Sequence, residues 1–124
     1  MKTHLTPVEL ELMEILWKLG QGTVHDVLKN LPKKRKLAYT SVSTILRILE
    51  QKKILAIKKM GRAHVYIPIL NKHTFAKDHL SIIQRVFSGN SVDLVSYLIN
   101  KNDINLKDLE EIQMIINKKK ELMT

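Results

Sequence analysis

Apolar side chains recur at helical spacing in the first part of this chain, alternate with polar ones over a short middle stretch, then resume helical spacing. Thr6, Pro7 and Glu9 mark a helix start: an N-cap hydroxyl, a proline suited to the first turn, and the acid that completes a capping box. Leu5 and Leu10 stand where a hydrophobic staple sits. Val8, Leu12, Ile15, Leu16 and Leu19 keep the period, and Gly20 is a C-cap residue that stops it. Leu10, Met13 and Trp17 widen this surface, and a lone Trp among aliphatics reads as core. A second, shorter helix is predicted after Thr23, capped with Asp26. Val24, Val27, Leu28 and Leu31 form its inner face, and Pro32 ends it.

The segment 38–53 carries two stripes. Val42, Ile45, Leu46 and Leu49 fall at i, i+3, i+4 and i+7, a core-facing stripe. Thr40, Ser43, Thr44 and Arg47 repeat that spacing two positions earlier, as a stripe that is polar, short and almost free of acid. Hydroxyls and an arginine are what a helix needs when its outer face enters a DNA groove, whereas a merely solvated helix usually carries Glu and Lys there.

Past Lys53 the period changes. Leu55 and Ile57, then Val65 and Ile67, alternate with polar or small residues on either side of Met60-Gly61-Arg62-Ala63. This predicts a two-stranded hairpin turning at Gly61, closed by Pro68, with Lys58, Lys59 and Arg62 at its tip. Three further helices are predicted in 71–124. Phe75, Ile82, Ile83, Val86 and Phe87 belong to the first, and Ser88-Gly89-Asn90-Ser91 breaks it. Val92, Leu94, Val95, Leu98 and Ile99 follow. Asn105 with Asp108 caps the last, which carries Leu106, Leu109, Ile112, Ile115 and Ile116. Three short helices bury too little surface to be stable alone, so they are expected to pack on a twin, with Phe75, Ile82, Val86, Leu94, Leu98, Leu109, Ile112 and Ile116 at the interface. A bundle folded back on the N-terminal part is the competing arrangement. The predicted fold is therefore mainly α with a small β-hairpin wing: a winged helix-turn-helix over 1–70, followed by a helical dimerisation region over 71–124.

Composition narrows the function classes. The 124 residues are 44% hydrophobic, enough for a core, and no apolar run approaches a membrane span. The start turns acidic without an apolar h-region, which argues against a signal peptide and for a soluble cytoplasmic protein. With no cysteine, disulfides, thiolate metal sites and thiol catalysis are excluded. His4, His25, His64, His73 and His79 include no pair at a metal-helix spacing of four and read as surface residues, so neither metal nor cofactor is expected. An enzyme is disfavoured: there is no phosphate-binding glycine loop, no HExxH and no acidic pair in a plausible pocket.

The net charge of +9 is unevenly spread. Residues 1–70 hold 13 Lys and Arg against 5 Asp and Glu, whereas 71–124 hold 8 against 7. Between Leu28 and Arg62 there are 11 basic residues and Glu50 alone is acidic. Charge gathered on one part of a molecule is the footprint of a polyanion-binding face.

LTPVELELMEILW, LAYTSVSTILRILEQKKIL, GRAHVYIP and FSGNSVDLVSYLINKNDINLKDLEEIQMII together resemble the penicillinase-repressor group of bacterial transcription regulators (BlaI/MecI/CopY type). The resemblance runs in order along nearly the whole chain. It implies a homodimer that binds an inverted-repeat operator and blocks transcription. Two departures bear on the inducing signal. The copper-responsive branch carries C-terminal cysteine pairs, and without them soft coordination of Cu(I) is lost. The β-lactam branch is released by proteolysis, in staphylococcal members after an Asn-Phe pair, and the matching Ser96-Tyr97-Leu98-Ile99 lacks it. A sensor protease as partner is thus left open.

On this basis Tyr39, Thr40, Ser43, Thr44 and Arg47 are the expected major-groove residues. Lys33, Lys34, Arg35, Lys36, Lys58, Lys59 and Arg62 are the expected phosphate contacts. Plainer roles exist for several: Ser43 and Thr44 bonding back to the preceding turn, and Arg47 pairing with Glu50 or Glu14. The alternative function is a basic RNA-binding or ribosome-associated protein. It explains the charge but not the C-terminal helices, and it has only Tyr39 and Tyr66 for base stacking.

Overall fold

The computed structural model describes residues 3–124. Its elements are α1 (Pro7–Leu19), α2 (Val24–Lys29), α3 (Tyr39–Gln51), β1 (Leu55–Met60), β2 (Ala63–Pro68), α4 (Lys72–Val86), α5 (Ser91–Ile99) and α6 (Leu106–Met123). They group into two compact units, one running to His79 and the other from Leu80 to Thr124. The division falls inside α4, nine residues beyond the expected boundary at residue 70.

In the first unit the helix starts form as their sequences demand. Thr6 Oγ1 accepts the Glu9 N–H at 3.1 Å while Glu9 Oε1 accepts the Thr6 N–H at 2.9 Å. Thr23 and Asp26 repeat that box on α2, and the Thr23 N–H holds the Asp26 carboxyl below its ordinary pKa. Gly20 ends α1 at φ 89°, its N–H donating to Leu16 O. Helix α2 ends at Lys29 with Asn30 as C-cap, before Pro32 is reached; the Asn30 side chain donates to Asp26 O at 2.7 Å and closes the last turn.

Leu12, Met13, Leu16, Val27, Val42, Leu46, Leu49 and Leu55 are buried together, and α1 and α2 both pack on α3. Leu19, expected in the apolar stripe of α1, is exposed beyond this core. Trp17 is half-buried against the core; its Nε1–H donates to Leu70 O at 2.8 Å and its ring stands 5.9 Å from Phe75.

Strands β1 and β2 are antiparallel, in register from Leu55↔Pro68 to Met60↔Ala63, with the turn at Gly61-Arg62. Gly61 has φ 63°, the backbone region that a two-residue hairpin turn demands. Gly22 adds a third strand position: it exchanges both backbone hydrogen bonds with Tyr66, at 3.0 and 2.7 Å. A Cβ at Gly22 would lie 3.1 Å from Asp26 Cβ, a tight fit that favours glycine at this contact. This corrects the alternation read for β2: Val65 and Tyr66 are both buried, and Ile57 is partly exposed.

In the second unit Ser88 and Gly89, at φ 54° and 72°, break the chain before α5. Asn90 caps α5, and Asn105 with Asp108 caps α6 in a reciprocal box. No residue from Leu80 to Thr124 is buried.

Candidate nucleic-acid interface

Helix α3 presents the two faces its sequence implies. Val42, Leu46 and Leu49 are fully buried and Ile45 packs against them; Thr40, Thr44 and Arg47 are exposed and Ser43 is half-buried. Among the described residues no hydrogen bond ties the Ser43 or Thr44 hydroxyl to the helix, and Arg47 makes no ion pair. The polar stripe is therefore free to meet a partner. No acid stands in the first turn of α3 and no side chain caps it, so its positive end is bare. Tyr39, at that end, is half-exposed and packs its ring 5.3 Å from His25 of α2.

A cleft of about 510 Å³ lies between this helix, the start of α2 and the hairpin. Thr23, His25, Tyr39, Ser43, Arg47, Arg62 and His64 line it. Sequence reasoning passed over His25 and His64, since nothing in their spacing signals that α2 and β2 flank one cleft. Tyr66 closes the cleft from below: burial pushes its hydroxyl above the ordinary tyrosine pKa, with Arg47 opposing and Glu50 and Tyr39 adding to the shift. Its burial removes one of the two aromatics a base-stacking surface would use.

The register sorts the hairpin's charges. Successive residues of a strand point to opposite faces. Ile57↔Tyr66 and Lys59↔His64 share the face toward the cleft, whereas Lys58 pairs with Val65 on the reverse face. Arg62 occupies the turn and lines the cleft.

The connection from α2 to α3 leaves Lys33, Lys34 and Lys36 exposed. Arg35 is already paired: its Nε donates to Glu11 Oε2 of α1 at 2.9 Å. Lys52, at the C-cap of α3, donates to Glu9 Oε2 at 2.8 Å. Burial raises the Glu9 carboxyl, but the Lys52 ammonium and the Thr6 hydrogen bonds outweigh it and hold the pKa below the ordinary value.

Of the residues expected at a twin interface, Phe75 lies in the first unit, between Trp17 and His79. The others belong to the second. Ile82, Val86, Leu98, Leu109 and Ile116 are exposed there, and Leu94 and Ile112 half-buried. Among the described residues no three His, Asp or Glu side chains are placed to hold a metal, and no helix is long and apolar enough to cross a membrane.

The sequence pattern described as "Penicillinase repressor" matches residues 5–118. The chain belongs to the penicillinase repressor family. The penicillinase repressor of Bacillus licheniformis is 27% identical over 124 residues, covering 95% of this chain and 96% of that protein. The DNA-binding domain of the repressor BlaI superposes with a TM-score of 0.51 at 31% identity, over 58% of this chain and 90% of that one. Monomeric BlaI of Bacillus licheniformis in complex with the blaP half-operator gives a TM-score of 0.50 at 31% identity, again over 58% and 90%. This member of the penicillinase repressor family thus has the winged-helix architecture predicted from its hydrophobic pattern.

Proposed function

We propose that this chain is a homodimeric transcriptional repressor, acting in the bacterial cytoplasm on an inverted-repeat operator. Each subunit lays α3 in the major groove, with Thr40, Ser43, Thr44 and Arg47 toward base edges. Tyr39 and the exposed lysines of the α2–α3 connection, with Lys59 and Arg62 of the wing, meet the phosphates. The observation that carries this is the unpaired hydroxyl-and-arginine stripe backed by three fully buried residues of the same helix. The solved half-operator complex of a relative lends the DNA partner.

The second copy is supported by the exposure of the C-terminal unit. Ile82, Val86, Leu98, Ile115 and Leu122 range from 46% to 75% exposed, in a unit without a single buried residue. Apolar helices with no core of their own are stabilised by a partner surface, and a twin supplies one with two-fold symmetry. That symmetry requires near-palindromic DNA, with half-sites about one helical turn (~34–36 Å) apart or a multiple.

The test is a chain ended at His79, compared with full-length protein by light scattering and by titration of an operator selected from a random duplex library. Full-length protein is expected at twice the chain mass. The shortened chain is expected as a folded monomer, with operator affinity about 10²- to 10⁴-fold weaker. Equal affinity of the two forms overturns the dimer, and a library that yields no preferred duplex overturns the repressor.

A further inference from the structure

The corner where α3 turns into β1 is closed by a set of long-range bonds. Lys53 takes the left-handed conformation at φ 64°, and the Ile54 N–H reaches back to Leu49 O at 2.9 Å. Ile54 O accepts the Ile69 and Leu70 N–H groups at 2.8 and 3.2 Å. Lys52, which ends the helix, donates to Glu9 Oε2 at 2.8 Å, and that side chain is only 6% exposed. The other oxygen of Glu9 accepts the Thr6 N–H. One buried carboxylate therefore ties the first turn of α1 to the end of the helix that carries Arg47, at the point from which the wing departs.

We propose that Glu9 and Lys52 are positioning residues for operator recognition. The pair sets how α3 and the wing are presented to DNA, and Lys52 directs its charge to Glu9 rather than to a phosphate. The proposal rests on the repressor reading above. It also makes a prediction of sign that a surface-charge role does not. Glu9→Gln removes a negative charge from the DNA-binding unit, so electrostatics alone would tighten binding. Gln still completes the capping box, so α1 keeps its start. If the pair positions α3, both Glu9→Gln and Lys52→Met weaken operator binding.

The experiment compares the wild type, Glu9→Gln, Lys52→Met and Lys52→Arg. Each is titrated with the selected operator and with a scrambled duplex over a range of salt, well below its melting temperature. Exchange of the Ile54 amide is followed in the free proteins. Both Glu9→Gln and Lys52→Met are expected to lose roughly 3- to 30-fold of operator affinity. Binding to the scrambled duplex and the salt slope should stay unchanged, and Ile54 should exchange faster. Lys52→Arg is expected to keep operator affinity and Ile54 exchange at the wild-type level. Partial unfolding would lower both duplexes equally, so the operator-to-scrambled ratio separates positioning from lost stability. Tighter binding by Glu9→Gln, or a salt slope reduced by Lys52→Met, overturns the proposal and makes Lys52 a phosphate contact. Unchanged Ile54 exchange overturns it whatever the DNA result. A wild type that does not discriminate the two duplexes counts against the repressor, while the exchange data still decide the corner.

Discussion

The pleat of the wing predicts that two adjacent lysines, alike in sequence, contribute unequally to DNA affinity. Lys59 pairs with His64 on the face toward the cleft, and Lys58 pairs with Val65 on the reverse face. Lys59→Met removes one phosphate contact per subunit, two per dimer. Each contact accounts for about 0.9 in the slope of log K against log salt, so the slope should fall in magnitude by about 1.8. With both proteins converging near 1 M salt, that is a loss of roughly 30-fold in operator affinity at about 0.15 M. Lys58→Met should change affinity less than about threefold, as expected for a charge beyond direct contact. Fluorescence anisotropy with labelled operator and scrambled duplex, over a KCl series, measures slope and affinity together. Phosphate contacts carry no sequence, so Lys59→Met should weaken both duplexes alike. The reasoning fails if Lys58→Met has the larger effect, or if Lys59→Met lowers only operator binding.

The core of the recognition helix gives a stability prediction: Leu46 is fully buried, so Leu46→Ala should cost about 2–5 kcal/mol in urea unfolding, and a cost under about 1 kcal/mol would mean the α1–α3 packing is wrong. At the wing tip Gly61 has φ 63° and an added Cβ would meet nothing within 4 Å, so Gly61→Ala should cost only the left-handed strain, about 1–2 kcal/mol, with Gly61→Asn recovering part of it. Acid should weaken the fold through Glu9. Its folded pKa lies below the ordinary 4.5, so its contribution is complete above that value and is lost as pH falls through the depressed one. Urea midpoints measured from neutral pH into acid should therefore fall more steeply for wild type than for Glu9→Gln below about pH 4.5, and parallel curves would remove the linkage.

What could be read from the sequence was what is local. The capping pairs Thr6–Glu9, Thr23–Asp26 and Asn105–Asp108 involve residues three apart, and each forms in the structure. The apolar stripe of α3 and the turn at Gly61 likewise depend on near neighbours. One reading failed where a distant segment intervened. Period-two alternation assumes one buried face, but Gly22 pairs with Tyr66 from outside the hairpin, and both Val65 and Tyr66 are covered. Phe75, which fits the C-terminal apolar pattern by spacing, also meets Trp17, 58 positions earlier, a contact that spacing does not signal. The C-terminal helices were legible as helices, since caps and breaks are local. What they pack against was not, because a single chain leaves all of that unit unburied.

Charge shows the same limit, and shows what a composition count means physically. The stretch from Leu28 to Arg62 has one acid against its many cations, which made all of them look equally available. In three dimensions α1 brings two carboxylates to that stretch. Glu11 engages Arg35 and Glu9 engages Lys52, across 24 and 43 residues of sequence. The strand pleat turns Lys58 away as well. Besides Arg47, the cations that stay open are Lys29, Lys33, Lys34, Lys36, Lys53, Lys59 and Arg62, which lie before α3 in the chain, just after it and on the wing. Net charge therefore overstates the number of cations free to meet a phosphate. In the proposed reading, affinity falls to these cations and sequence choice to the neutral hydroxyls and Arg47 of α3. Glu9 and Glu11 each hold one cation of this stretch, so in the proposed reading two fewer charges are available to phosphates than the composition suggests.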